Sequence, residues 1–561
     1  MFERPLFQDN ILHNLWEFNK TFLTTRDWPL HLGIVLAVLL VVLFLLRKYL
    51  RSPSGYQNIF PADNFVFDNN DWRQWLSLLG VIVAIIFSEI YIYMGENSLF
   101  ENYDLMAINT TRSMRYGLVA SFDYIRVIPF ASWYLSTLYA ITQNILLIKS
   151  FVLLQTILAA WAMYAFFSYI PVARRLLMIA LLIVAPTYLQ SANIIFPERD
   201  MIIVLMLGLI CARRYFTTHL LRWAFAFIFF MNVAMYTKET CITFYFGILL
   251  TSILYNVGKS VINFSTLIRP WQIIKQMPLE TLIGLSLVGY TVIYIKMQEG
   301  DNFYLSANKA DILSQLNTYR FELSLLAIAV IMAVRRVVLQ PLFKDNPFFR
   351  EGLLLGAICS ALMVVAIFKL APTTPHLAGK SYYLLVSTIF AAAYIFEHLR
   401  TKTLMALLAV YMLAYSLVMN IRYKQNENGG YYREIAEFMA EHTSTVRPNT
   451  LFVMEKNYGT KVLNQWIVET IDTAFRYYFD DRLMIFKSDA HHLDRSIVGK
   501  LNLYGRIPLI YFPIIPQALP QAGEWLIIHK QNTTTKANNL RQQYRANKVF
   551  ENRLFEVYAP L

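Results

Sequence analysis

The stretch 29–47, PLHLGIVLAVLLVVLFLLR, is apolar along its whole length except for His31 and the terminal Arg47. A helix needs about 20 predominantly apolar residues to cross the hydrocarbon core of a bilayer. Further runs approach this length at 75–94, 127–146, 150–170, 176–191, 200–216, 219–236, 240–257, 279–297, 322–336, 352–370, 382–398 and 402–421. The sequence therefore predicts a polytopic α-helical membrane protein with about 12–13 spans.

The composition of the 561 residues supports this fold class. Only 16% of them are charged and 57% are hydrophobic, whereas a soluble domain is about 25% charged. This excludes collagen-like, disordered and disulfide-scaffold proteins. The net charge of +13 is better explained by Lys and Arg retained on the cytoplasmic side of a membrane than by a nucleic-acid partner. The three cysteines show neither a disulfide framework nor a zinc motif.

The pattern changes after Arg422. Short runs rich in β-branched and aromatic residues predict strands at 451–454, 483–486, 508–512 and 525–528, and amphipathic stretches lie between them. Strands that alternate with helices indicate a small α/β domain. We expect three regions along the chain: 1–74 with the first span and a cytoplasmic loop, 75–421 as the main transmembrane domain, and 422–561 as a soluble domain.

The orientation follows from Lys and Arg in the short loops. The basic positions Arg174, Arg213 and Arg336 mark the cytoplasmic side. The first outward loop is then 95–126, and the loops 192–199, 237–240, 298–321 and 371–381 and the C-terminal domain face outward with it.

Two neighbouring runs conflict with this alternation, because 127–146 and 150–170 cannot both cross the membrane. Pro129 and Asn144 interrupt the first run, which makes 127–146 the better candidate for a re-entrant or interfacial segment. A misplaced pair at Arg174 and Arg175 is the alternative.

The first outward loop carries two acids, Glu101 and Asp104. They are i,i+3 neighbours, so a helix places both carboxylates on one face. Carboxylates at a membrane surface suit a general base or a metal ligand. An ordinary solvated helix with acids near its start is the alternative.

Two later outward loops bring charges to the ends of spans. Glu198, Arg199 and Asp200 begin one span, where the acids also complement the helix dipole without any catalytic role. Lys238 and Glu239 lie between two spans with almost no loop to hydrate them. Ionisable groups at such a depth tend to be functional, although a structural ion pair is an equally good explanation.

A late outward loop and its flanks, KLAPTTPHLAGKSYY, carry Lys369, His376 and Lys380. These cations could hold an anionic head group, whereas lysines that snorkel at helix ends are the alternative. Acids and cations in several loops on one side indicate a shared site, in which acids activate a hydroxyl and cations stabilise a departing phosphate. Transfer of a sugar from a lipid-phosphate donor requires this arrangement.

The layout resembles the GT-C superfamily of integral-membrane glycosyltransferases, which includes protein O-mannosyltransferases and the aminoarabinose transferases of lipid A. The acidic first loop with ENYDLMAINTTRSMRYG, followed by Pro129, is similar to the family's run of acid, Tyr, Ala and Gly. The loop PERD at 197–200, the pair at 238–239 and GKSYY at 379–383 resemble later family motifs. The chain departs from the family because its acidic pair is split and because Lys380 replaces the common Arg.

The resemblance implies an inverting glycosyltransferase that uses a polyprenyl-phosphate-linked sugar at the outer face of a bacterial inner membrane, with the C-terminal domain in the periplasm. The implied catalytic acids are Glu101, Asp104, Asp200 and Glu198. The implied donor-phosphate ligands are Lys380, Lys238, Arg199 and His376. The expected partners are the donor, membrane lipids and a lipid, glycan or protein acceptor, with no nucleic acid. No cofactor is fixed, and a divalent cation stays open.

Three other functions remain open. An O-antigen polymerase or ligase also acts on lipid-linked sugars, but it would centre on Arg and His in a long outward loop. A lipid or solute transporter would carry internal repeats and ionisable groups at mid-membrane. A structural subunit would use its loops only to bind a partner.

Overall fold

The structure of the chain is a computed structural model. It describes residues 7, 9–24, 28–51, 67–93, 130, 137–138, 140–142, 144–192, 197–258, 270–297, 319–339, 350–369, 381–426, 434–435, 438, 450–454, 485–488, 515–530 and 532–560.

The described residues form sixteen α-helices and six strands. The helices are α1 (Ile11–Thr24), α2 (Trp28–Arg51), α3 (Trp72–Tyr93), α4 (Ile145–Phe166), α5 (Val172–Val184), α6 (Pro186–Leu189), α7 (Glu198–Thr218), α8 (Leu221–Thr237), α9 (Thr240–Gly258), α10 (Pro270–Gln276), α11 (Pro278–Met297), α12 (Arg320–Leu339), α13 (Arg350–Lys369), α14 (Leu385–His398), α15 (Lys402–Asn426) and α16 (Thr535–Gln543). The strands are β1 (Thr450–Met454), β2 (Ile485–Ser488), β3 (Ile515–Pro516), β4 (Trp525–His529), β5 (Lys548–Glu551) and β6 (Phe555–Tyr558).

The prediction of a polytopic helical protein is confirmed. Six of the described helices are long and apolar enough to cross a membrane, and four shorter apolar helices accompany them. The six spans are Pro29–Arg51, Trp72–Ile90, Leu147–Phe166, Glu198–Thr218, Pro278–Ile295 and Lys402–Ile421. Every predicted run except 127–146 coincides with a described helix. The six long spans are fewer than predicted because several helices at these runs are short or carry charges.

Small residues allow one close helix crossing. A Cβ atom on Gly247 of α9 would lie 2.6 Å from Cα of Gly356 on α13, and a Cβ on Gly356 would lie 2.6 Å from the carbonyl oxygen of Phe244. No side chain fits at such a distance, so both positions require glycine. Close backbone approach at small residues is the usual way in which helices associate within a membrane.

Basic side chains tie together one end of the bundle, called here the basic end. Arg174 Nη1 donates to the carbonyl oxygen of Leu399 at 3.0 Å, and Arg213 Nη1 donates to that of Phe166 at 3.1 Å. At the same end, Arg336 pairs with a carboxylate at the start of α13. The arginines used to predict the cytoplasmic side therefore lie together.

The directions of α3 and α4 concern the two neighbouring runs 127–146 and 150–170, which cannot both cross the membrane. Glu89 near the end of α3 lies within range of the charge of Arg199 at the opposite end of the bundle. Helix α4 starts at that opposite end, because its last residue, Phe166, lies at the basic end. The end of α3 and the start of α4 therefore lie on the same side, while most of the predicted segment 127–146 lies outside the described residues.

The C-terminal residues form a six-stranded sheet in the order β3-β2-β1-β4-β6-β5. Strands β1 to β4 pair in parallel, whereas β6 pairs antiparallel with β4 and β5. One face packs Phe452 and Leu526 against Leu540 of α16. The predicted strands at 451–454, 483–486 and 525–528 overlap β1, β2 and β4, while the prediction at 508–512 lies outside the described residues.

Candidate functional site

A buried ion pair joins two interhelical connections at the end opposite the basic end. Lys238 Nζ lies 2.8 Å from Glu198 Oε1, and each side chain is 1% exposed. Pro197 precedes α7 and places Glu198 in its first turn, where the helix dipole favours an acid. Lys238 follows α8 in an extended conformation, where the dipole favours a cation. Both residues therefore complement a helix end as well as each other.

The same lysine contacts the segment that follows the late outward loop. Lys238 Nζ lies 4.5 Å from the centroid of the Tyr383 ring, a cation–π arrangement. Tyr383 belongs to the 3-10 turn Ser381–Leu384, which begins directly after Lys380. A second carboxylate, Glu239 Oε1, lies 3.9 Å from Nζ. The sequence suggested Glu239 as the partner of Lys238, but Glu198 is closer.

Arg199 is held on all sides by the protein. Its Nη1 donates to Thr156 Oγ1 at 2.8 Å, its Nε donates to Ser191 Oγ at 3.1 Å, and its Nη2 donates to the carbonyl oxygen of Tyr188 at 3.2 Å. The guanidinium also stacks over the Tyr188 ring, 4.4 Å from its centroid. Because all three of its nitrogens donate to protein acceptors, its geometry favours fixing α4, α6 and α7 over an open phosphate contact.

Asp200 and two further acids complete the cluster. Gln155 Nε2 of α4 donates to Asp200 Oδ1 at 2.7 Å. Glu89 of α3 lies within range of the positive charges of Arg199 and Lys149. On the other side, the hydroxyl of Thr187 donates to Glu322 Oε1 of α12 at 2.7 Å. Side chains from α3, α4, α6, α7 and α12 thus surround one polar region.

No protein-family model matches the sequence, and no curated protein matches it. Among solved structures, the chain is similar to ArnT from Cupriavidus metallidurans in a crystal structure bound to undecaprenyl phosphate. The two chains are 14% identical, and the match covers 87% of this chain and 98% of that chain with a TM-score of 0.45.

Half of the predicted site residues lie within the described part of the chain, and they meet at one end of the bundle. These are Glu198, Arg199, Asp200 and Lys238. The other half lie outside the described residues. These are Glu101, Asp104, His376 and Lys380. The described segments that flank them in sequence contain Glu89 and Tyr383, and both of these residues belong to the cluster.

Glu89 stood out in the sequence as an acid within the span that precedes the first outward loop, whereas Gln155 and Glu322 were not predicted. All three lie inside or at the start of apolar runs, and a polar residue at such depth is itself a signal of function. Tyr383 was quoted only as part of a motif. Thr187 gave no signal, because a single threonine is ordinary in a membrane helix.

The arrangement offers paired charges but no evident metal cage. Within the described ranges, no group of three or more His, Cys, Asp and Glu side chains could hold a metal ion. Asp200 and Glu198 lie beside two cations, so the cluster can accept a proton and can also stabilise negative charge. Both abilities serve the transfer of a group away from a phosphate.

Proposed function

We propose that the chain is a membrane glycosyltransferase that moves a sugar from a polyprenyl-phosphate-linked donor to a lipid, glycan or protein acceptor. The observation that carries the proposal is the Glu198–Lys238 pair beside Tyr383. It joins the ends of three predicted outward loops at a single place, and Glu89 brings the end of α3 toward the same place. The resemblance of the loop motifs to GT-C enzymes supports the same reaction.

The reaction forms a bond between an acceptor oxygen and the anomeric carbon of the sugar. The bond from that carbon to the phosphate oxygen breaks, and polyprenyl phosphate leaves with the electron pair. The acceptor proton passes to a carboxylate, for which Glu101 and Asp104 are the first candidates and Asp200 and Glu198 the next. The resemblance implies a single displacement with inversion.

Lys238 and Lys380 would supply positive charge to the leaving phosphate. Such charge accelerates the reaction when it acts more strongly on the transition state than on the bound donor. Glu198 holds Lys238 in place inside an apolar bundle, where an unpaired ammonium would be costly. Arg199 would hold the surrounding helices, as its three hydrogen bonds support.

We place the site at the outer face of a bacterial inner membrane, with the C-terminal domain in the periplasm. The basic residues Arg174, Arg213 and Arg336 lie together at the other end, as the cytoplasmic side of a membrane protein requires. The exposed apolar surfaces of the spans would accommodate the polyprenyl tail.

The proposal is tested with purified protein in lipid nanodiscs and a panel of polyprenyl-phosphate-linked mannose, glucose and aminoarabinose. Acceptor lipids, glycans and peptides are added, and mass spectrometry follows the products. Lys238→Met should lower turnover by about 10²–10³-fold. The matched control is Lys275→Met, which removes a lysine that lies over Trp271 and Tyr49 near the basic end. Equal turnover of both variants would contradict the role of Lys238.

A further inference from the structure

Arg320 is an exposed cation at the start of α12. Its guanidinium carbon lies 5.8 Å from the centroid of the Tyr415 ring on α15. The next residue, Phe321, stacks on the same ring with a centroid distance of 4.5 Å and an interplanar angle of 6°. This stack fixes the height of Arg320 along α15.

That height lies within a helix that is long and apolar enough to cross a membrane. The candidate span of α15 runs from Lys402 to Ile421, and Tyr415 lies six residues before its end. At a rise of 1.5 Å per residue, Tyr415 lies about 9 Å below the outer end of the span. The guanidinium therefore starts from a position below the level of the head groups.

Arg320 donates a hydrogen bond to Tyr415, and apart from the hydroxyls of Ser324, Tyr411 and Tyr415 this flank of α15 is apolar. Along α15, Leu413, Leu417 and Val418 are exposed, as the lipid-facing side of a span should be. Among the described residues, no carboxylate lies within ion-pair distance of Arg320, and its own neighbour Glu322 is buried and accepts a hydrogen bond from Thr187. A cation at this depth is costly unless an anion or water meets it.

We propose that Arg320, Tyr411 and Tyr415 form a binding site for the phosphate of an anionic membrane lipid on the outer half of α12 and α15. A planar guanidinium binds two phosphate oxygens at once, which favours arginine over lysine at such a site. The Tyr411 hydroxyl lies 3.2 Å from Ser324 Oγ on the same flank and supplies a further donor, whereas the Ser324 hydroxyl donates to the carbonyl oxygen of Phe321 at 2.8 Å. The acyl chains would lie along the exposed apolar residues of α15.

This site differs from the proposed catalytic cluster. Glu322 points toward Thr187 inside the bundle, whereas Arg320 is exposed on its surface. The inference does not rest on the glycosyltransferase proposal, because lipid binding is measured without any transfer reaction.

Native mass spectrometry of delipidated protein, titrated with phosphatidylglycerol or phosphatidylcholine of the same chain length, tests the inference. We expect the wild type to retain phosphatidylglycerol preferentially. Arg320→Met should weaken the first binding event about tenfold or more, and Arg320→Lys should weaken it less. The matched control, Arg553→Met, removes the same charge from an exposed position in the C-terminal domain and should change nothing.

Two further measurements keep the result unambiguous. Tyr411→Phe removes one hydroxyl without a change of charge and should weaken phosphatidylglycerol binding measurably, so it serves even if Arg320→Met fails to fold. Soluble glycerol phosphate should not compete, because the acyl chains are part of the ligand. Either of two results overturns the inference. In the first, the wild type retains both lipids equally; in the second, the wild type and folded Arg320 variants bind phosphatidylglycerol equally. Arg320 would then be an arginine that only extends its side chain to the membrane surface.

Discussion

Lys238 and Glu198 form an ion pair of 2.8 Å in which both side chains are 1% exposed. Glu198 begins α7 and Lys238 follows the last residue of α8, so the two residues come from the ends of different helices. Two buried charges of this kind hold each other in place, since either one alone would be strongly destabilising. The pair therefore fixes the ends of α7 and α8 around the proposed site.

A double-mutant cycle tests this pair. Lys238→Met and Glu198→Gln should each destabilise the protein by about 3–5 kcal/mol, because each leaves an uncompensated buried charge. The double variant should recover part of this loss, giving a coupling energy on the order of 1–3 kcal/mol. Unfolding in detergent, followed by tryptophan fluorescence, measures the three variants.

The same three variants also distinguish a structural role of the pair from a role in the transfer reaction. If the pair serves the reaction, the double variant should lose less stability than the sum of the two single variants but should recover no transfer. Additive losses of stability would show that the two side chains do not interact in solution.

The crossing of α9 and α13 gives a second prediction. Gly356→Ala should destabilise the bundle by about 1–3 kcal/mol, because the new methyl group would lie 2.6 Å from the carbonyl oxygen of Phe244. Gly284→Ala is the matched control, since the nearest atom to its new methyl group is 3.8 Å away. Alanine also favours a helix over glycine, so Gly284→Ala should be neutral or stabilising. Equal melting temperatures for the two variants would be incompatible with the close crossing.

Acid should weaken the C-terminal domain through Glu524. Burial alone would raise the pKa of Glu524, but hydrogen bonds from the Gln521 backbone, Lys487 and Gln517 outweigh it and hold the pKa below its usual value. Because the pKa of Glu524 is lower in the folded protein, its carboxylate stabilises the fold fully at pH values above the unfolded pKa of 4.5. This stabilisation is lost as the pH falls through the pKa of the folded state. Glu524→Gln should flatten the pH dependence of unfolding below about pH 4–5. An unchanged acid profile in this variant would assign the effect to other groups.

Cysteine labelling tests the shared side of the membrane. Cysteines at Asn102 and at Thr533, which is exposed beside the buried Asn532, should both react in intact cells with an impermeant reagent that reaches only the periplasm. A cysteine at the exposed Arg214 should react only after the membrane is opened. The native half-buried Cys359 is first replaced by alanine. Labelling at only one of the two outward positions would separate the C-terminal domain from the proposed site.

The helical membrane fold could be predicted from the sequence because long apolar runs are a property of local composition. The basic end could be predicted because Lys and Arg are retained on the cytoplasmic side of a membrane. The sequence placed Glu198 and Lys238 on one side but could not pair them, since their contact depends on how α7 and α8 pack. The three hydrogen bonds of Arg199 were equally unpredictable, because its acceptors lie on α4, in α6 and after α6. Strands β5 and β6 were missed because they are short and carry charged residues.

The central claim is transfer of a sugar from a polyprenyl-phosphate donor. The most direct test is a time course, by mass spectrometry, of free polyprenyl phosphate and glycosylated acceptor made by the purified protein in vesicles. We predict equal amounts of both products, formed only with acceptor present and reduced by about 10²–10⁴-fold in Glu101→Gln or Asp104→Asn. Movement of intact donor across the vesicle membrane, with neither product formed under any acceptor, would contradict the account and identify a lipid transporter.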